Sequence, residues 1–155
     1  MYILVARHGK AEEKKPGLPD EERRLTEEGR SDVANVAKLL PWTPQLIYTS
    51  PLRRAHETAE VISQVLGGVE VKVVDILRPE LTSVENLKKL EFKEITLLVG
   101  HAPSIEKLIS GLVGGGAIKL KAGAIAGLEA EIFDVGKAVL RFIISPDVAK
   151  KCFGV

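Results

Sequence analysis

Apolar residues run without a break from Tyr2 to Ala6, a length suited to a strand buried on both faces. Comparable short runs recur at Leu46 to Thr49 and Ile95 to Val99, and Val69 to Val74 reads as a further strand. Between them the apolar spacing lengthens to the helical period. Leu25-Thr26-Glu27-Glu28-Gly29 reads as a helix entry, with Thr26 as cap and two acids at the positive end of the dipole. That helix is predicted to run to Leu40, ahead of Pro41 and Pro44. Leu52, Ala55, Ala59, Ile62 and Leu66 share one face of a second helix, with Ser50 as its N-cap, Pro51 as its first residue and Gly67-Gly68 at its end. A weaker helix spans Val84 to Leu90. Ile105, Leu108, Ile109 and Leu112 mark another, closed by Gly114-Gly115-Gly116. Two last strands, near Ala124 to Phe133 and Ala138 to Ile144, flank a turn at Asp134-Val135-Gly136-Lys137. Strands alternating with helices predict a three-layer α/β/α sandwich with a mostly parallel sheet, to which the last hairpin adds antiparallel strands at the edge. Residues 10 to 25 interrupt the pattern as a long polar loop, and loops of that length in a compact domain are usually functional or disordered.

The length, 155 residues, suits a single domain over residues 1–155. Lys and Arg number 22 against 21 Asp and Glu, so no general pull toward nucleic acid or membrane is expected and any anion site must be local. The run 2–6 is too short for a secretory leader, and no stretch matches a membrane span, which leaves the cytoplasm as the expected compartment. Cys152 is the only cysteine, so no internal disulfide can form; it reads as a buried or incidental tail residue rather than a reactive thiol. The oligomeric state is not legible.

Three polar groups each fall just past an apolar strand: Arg7-His8, Arg53-Arg54 and His101. Ligands in open α/β sheets bind outside the carboxyl ends of the strands, so these groups are aimed at one edge. Cations in the first turn of a helix oppose its dipole, a cost of roughly 0.3–1 kcal/mol each that a bound anion would reverse. Arg53 fits an outward, solvated position equally well. Of the three histidines, His8 and His101 each sit beside glycine at a strand end, where one neutral imidazole can attack phosphorus and another can donate. His56 has no such setting and is expected at the surface. No phosphate-binding G-x-x-x-x-G-K-[ST] loop, no G-x-G-x-x-G and no H-E-x-x-H or Cys/His cluster occurs.

Arg7-His8-Gly9, Leu25-Thr26-Glu27-Glu28-Gly29, Ser50-Pro51-Leu52-Arg53-Arg54-Ala55-His56-Glu57-Thr58-Ala59 and Gly100-His101-Ala102-Pro103 resemble, in order, the R-H-G, L-T-x-x-G, S-P-x-x-R-A-x-x-T-A and G-H-x-P motifs of the histidine phosphatase superfamily, which includes the phosphoglycerate mutases. Within it, Arg78-Pro79-Glu80-Leu81-Thr82, the tail at Ile144-Ser145-Pro146 and the short stretch between Arg54 and His101 resemble the compact SixA-type phosphohistidine phosphatases. Lys10 stands where many relatives have an acid. The resemblance implies a phosphoglycerate mutase-like fold and a metal-independent phosphatase with no cofactor. His8 would be the nucleophile, and Arg7, Arg54 and His101 would bind the phosphoryl oxygens and stabilise the transition state. Glu80 would be the candidate acid. The short stretch implies an open site able to admit a phosphohistidine-bearing protein. A small phosphorylated metabolite is the alternative substrate, and a non-catalytic phosphate-binding module the alternative class.

Overall fold

The computed structural model describes residues 1–153. Its six-stranded sheet is built from β1 (Tyr2–Arg7), β2 (Leu46–Thr49), β3 (Val71–Val73), β4 (Ile95–Gly100), β5 (Ile125–Ala130) and β6 (Ala138–Ile144), in the order β3-β2-β4-β1-β5-β6. β3, β2, β4 and β1 run parallel to one another, β5 pairs antiparallel with β1, and β6 pairs antiparallel with β5, as the pattern predicts. The helices are α1 (Glu27–Lys38), α2 (Arg53–Val65), α3 (Val84–Leu87), α4 (Ser104–Val113) and α5 (Pro146–Cys152).

The unbroken apolar runs build three layers because side chains alternate across a strand. Ile3, Val5, Leu46, Tyr48 and Leu98 pack toward α3 and α4, against Leu87, Ile105, Leu108, Ile109 and Leu112. Leu4, Ala6, Ile47, Leu97 and Val99 pack toward α1, α2 and α5, against Val33, Val36, Ala55, Ala59, Ile62 and Ala149. A full apolar side chain buried this way contributes about 1.5–3 kcal/mol, so both covering layers are held by the same strands.

Four expectations are corrected. The third strand is only Val71–Val73, a half-exposed edge, because the carbonyl of Val69 is taken by the Ser63 hydroxyl at the end of α2 and Val74 already leads into the 3-10 turn Asp75–Leu77. α2 begins at Arg53 rather than Pro51, because Ser50 is used otherwise: its Oγ accepts the Leu52 N–H at 3.2 Å and meets His101. α1 and α3 stop at Lys38 and Leu87, short of Leu40 and Leu90. Cys152 is exposed at the end of α5, which leaves the incidental tail residue of the two readings and not the buried one; α5 itself is a helix the periodicity did not suggest. Thr26 does cap α1, its Oγ1 accepting the Gly29 N–H at 2.9 Å. Gly114 closes α4 with φ 94°, a backbone state that favours glycine. No helix among the described residues is long and apolar enough to cross a membrane.

Candidate active site

β1, β2 and β4 end side by side, and backbone bonds carry the register past them. The His8 N–H donates to the Gly100 carbonyl at 3.1 Å and the Ser50 N–H to the Val99 carbonyl at 3.1 Å. The side chains that follow therefore converge. The His8 and His101 rings lie 5.2 Å apart, centroid to centroid. Arg54, buried in the first turn of α2, and Arg7 both act on the His8 ring electrostatically. Four of the five residues singled out in the sequence, Arg7, His8, Arg54 and His101, thus meet at one edge of the sheet.

Each is fixed by a neighbour. Nδ1 of His8 lies 2.8 Å from the Gly9 carbonyl. A carbonyl can only accept, so Nδ1 carries the proton and Nε2 keeps its lone pair. Nε2 of His101 lies 2.8 Å from Ser50 Oγ, which also accepts from Leu52. Ser50 is fully buried and its hydroxyl proton has no other acceptor among the described residues, so it donates to Nε2 and the His101 proton sits on Nδ1. That Nδ1 is buried without a hydrogen-bond partner among the described residues, as are Nε of Arg7 and Nε of Arg54. Buried donors are rarely left unpaired, and three at one edge of the sheet are groups that an anion can satisfy. Arg7 is held from its other side, Nη1 donating to the Leu120 carbonyl at 2.6 Å.

Both imidazoles are held neutral. Burial pushes the His8 pKa down to about 4, helped by Arg54 and Arg7 and opposed by the bond to Gly9. Burial pushes His101 down to about 3, with His8 and Arg54 adding to it. Burial likewise lowers the pKa of Arg54, which stays a cation because it starts so high.

The S-P-x-x-R-A-x-x-T-A segment has a physical reason for its threonine. Thr58 Oγ1 donates to the Arg54 carbonyl at 2.7 Å and accepts the Gly9 N–H at 3.1 Å, which pins α2 to the residue after His8. Glu57 accepts the Leu25 N–H at 2.9 Å and pairs with Arg30 and Arg53. Arg53 is exposed, and His56 lies at the surface facing Glu60 at 3.1 Å. Lys10 is exposed and bonded to Glu28 at 2.6 Å.

The long loop supplies two residues that the sequence did not single out. It leaves and rejoins the fold at a bridge between Ala11 and Leu25, and its tip folds over the site. Asp20 accepts from Arg54 through its carbonyl (2.9 Å) and its Oδ2 (3.3 Å), and from Arg23 Nε through Oδ1 (2.9 Å). Arg23 lies close enough to depress both histidines, whereas Arg24 beside it is exposed. Loop length was the only signal; nothing in the order of residues separates Arg23 from Arg24. Glu80, the fifth residue singled out, is exposed, and among the described residues its side chain makes no hydrogen bond or ion pair. Only its neighbour reaches this edge, the Pro79 carbonyl accepting from Ser104 Oγ at the start of α4. No group of three or more His, Cys, Asp or Glu among the described residues is arranged to hold a metal ion.

Fold and site together define an α/β protein in which two neutral histidines and two arginines with buried donors, unpaired among the described residues, meet at the carboxyl edge of the sheet. The chain belongs to the histidine phosphatase superfamily (branch 1), whose family pattern matches residues 3–97. It is 30% identical over 144 residues to an uncharacterised chloroplastic protein of Arabidopsis thaliana, covering 83% of this chain and 66% of that protein's length. Its fold is similar to that of the protein histidine phosphatase SixA complexed with tungstate (TM-score 0.81, 23% identity, 95% of this chain and 98% of that one). A putative alpha-ribazole-5'-P phosphatase from Escherichia coli is also similar (TM-score 0.72, 19% identity, 94% of this chain and 98% of that one).

Proposed function

We propose that this protein is a phosphohistidine phosphatase that hydrolyses phosphohistidine on a partner protein through a covalent phospho-His8. The observation that carries the reading is the His8 ring itself. Its proton is committed to the Gly9 carbonyl, its pKa is held near 4, and its free nitrogen lies among unpaired cationic and neutral donors.

In the first step the Nε2 lone pair of His8 attacks phosphorus and the bond to the leaving group breaks. A proton from solvent goes to the other nitrogen of the substrate ring, so the imidazole departs as a neutral base with the electron pair of the broken phosphorus–nitrogen bond. Arg7, Arg54 and the Nδ1–H of His101 hold the phosphoryl oxygens where charge develops, with Arg23 as a further cation. In the second step water attacks the phosphohistidine, the phosphorus–nitrogen bond breaks, and His8 recovers its lone pair as inorganic phosphate leaves. Fixed cations offset the phosphoryl charge, so the proposed reaction uses no metal. An imidazole, with an ordinary pKa of about 6.5, leaves with little acid assistance. That suits a site in which Glu80 makes no hydrogen bond or ion pair with the four converging residues. The likeness to SixA supports a protein substrate, and the likeness to the putative alpha-ribazole-5'-P phosphatase favours small phosphate esters as the second reading.

Initial rates on a phosphohistidine-bearing carrier protein, a phosphoserine protein and a panel of sugar phosphates, each with and without EDTA, test this. The expected result is preference for phosphohistidine, unchanged by chelation. Faster ester hydrolysis would support the metabolite reading and make Glu80 the first acid to test. Binding without turnover on any substrate would leave a phosphate-binding module.

A further inference from the structure

Residues 116–121 form neither helix nor strand, yet the Leu120 carbonyl receives the 2.6 Å bond that fixes Arg7. Something must hold that segment still. Glu106 and Ser110 lie one turn apart on the same face of α4. Ser110 Oγ donates to the Gly116 carbonyl at 2.6 Å, and Glu106 Oε2 accepts the Leu120 N–H at 2.6 Å. Leu120 is therefore tied on both sides of its Cα, to Glu106 through its N–H and to Arg7 through its carbonyl. Glu106 is only 8% exposed, and among the described residues it has no ion pair. A buried acid without a cation is uncommon. A buried helical position would serve stability better with an apolar or small residue, so the carboxyl is kept for the bond it makes.

We propose that Glu106 is a positioning residue for Arg7: it fixes Leu120, and Leu120 fixes the guanidinium. With Nη1 held by Leu120, the opposite edge of the guanidinium, Nε and Nη2, is the one left for oxygens. That edge is the planar fork that binds oxyanions bidentately, and its Nε is buried without a partner among the described residues. Loosening Leu120 lets the fork rotate. The inference rests on Arg7 binding phosphoryl oxygens, as proposed above.

The test is a double-mutant cycle on the full chain. Glu106→Met keeps volume and removes the acceptor; Glu106→Gln keeps an acceptor oxygen. Each is measured with Arg7 and with Arg7→Ala, by p-nitrophenyl phosphate turnover and by calorimetric binding of inorganic phosphate, with circular dichroism to verify folding. Glu106→Met should lose roughly 10- to 100-fold in kcat/KM, the size of effect a small misplacement produces, and weaken phosphate binding. Glu106→Gln should stay near wild type. In the Arg7→Ala background the Met substitution should cost nothing further. Wild-type behaviour of Glu106→Met would overturn the proposal, and so would an equal loss in both backgrounds, which is what a merely structural role predicts. If Glu106→Met does not fold, Ser110→Ala loosens the same segment from its other end. Its smaller loss must also vanish with Arg7→Ala, and a loss that persists overturns the proposal. Phosphate binding without turnover by the wild type would defeat the proposed function while the binding cycle still reads the role of Glu106.

Discussion

A histidine attacks phosphorus only through a nitrogen that carries no proton, so the state of His8 decides whether this site can work. With folded pKa values of about 4 for His8 and about 3 for His101, both rings are neutral across the physiological range. Ring-proton NMR titration of the free protein should therefore show both rings titrating well below 6.5, and a midpoint near 6.5 for His8 would contradict the buried pocket. The same shifts bear on stability. The unfolded chain takes up these protons first, near pH 6.5, so the stabilisation is complete above that pH. It is lost as pH falls from 6.5 toward 4 and 3, and chemical denaturation across that window should show it. His8→Ala should remove part of the slope. Arg54 acts through geometry as much as charge. A charge-assisted hydrogen bond contributes about 1.5–3 kcal/mol, so losing one phosphoryl contact in Arg54→Lys should lower kcat/KM by roughly 10- to 100-fold. Unchanged kcat/KM would assign the role to another arginine, with Arg23 the nearest.

At the scale of elements, the loop between Ala11 and Leu25 brings an acid to a site for anions. Burial raises the Asp20 pKa, but Arg54 and Arg23 outweigh it and the net shift is downward, so the carboxylate is an internal counter-ion to both arginines. It competes with any phosphoryl group for them. An ion pair this exposed contributes about 0.2–1 kcal/mol, so Asp20→Asn should bind inorganic phosphate up to about fivefold more tightly. Weaker binding would mean that Asp20 orders the arginines instead of competing with phosphate. The glycine of the L-T-x-x-G entry is explained by close approach: a Cβ on Gly29 would lie 2.2 Å from the Lys10 carbonyl oxygen. Gly29→Ala gains about 1 kcal/mol of helix propensity but loses more to backbone overlap beside the strand that carries His8. A lowered Tm is expected, and a raised one would show that α1 can slide. The loop's contribution could not be read from the sequence, because periodicity says nothing about where a polar loop folds back. The start of α2 was misread for a related reason: Ser-Pro has the local chemistry of a cap, yet Ser50 is drawn into a tertiary bond with His101.

Across the whole molecule, the sheet is what makes a site out of residues far apart in the chain. The order β2-β4-β1 sets three strand ends next to one another, so Arg54, His101 and His8 meet although long stretches of sequence separate them. This much was legible, since apolar runs, helical spacing and the polar groups after each run together imply a parallel sheet with one active edge. The three layers were legible too. What the sequence withheld was contact-level detail: the tautomers set by Gly9 and Ser50, the hold of Leu120 on Arg7, and the choice of Arg23 over Arg24. Each depends on which atoms lie within hydrogen-bond reach after folding, which no local pattern encodes. The account as a whole stands on one covalent bond, and rapid-quench labelling reads it directly. Mixed with a ³²P-labelled phosphohistidine carrier protein and quenched in alkali, the wild-type chain should carry label that is stable to base, labile to acid and mapped to His8, while His8→Ala should show neither label nor turnover. Normal turnover by His8→Ala, or label that survives acid, would contradict it.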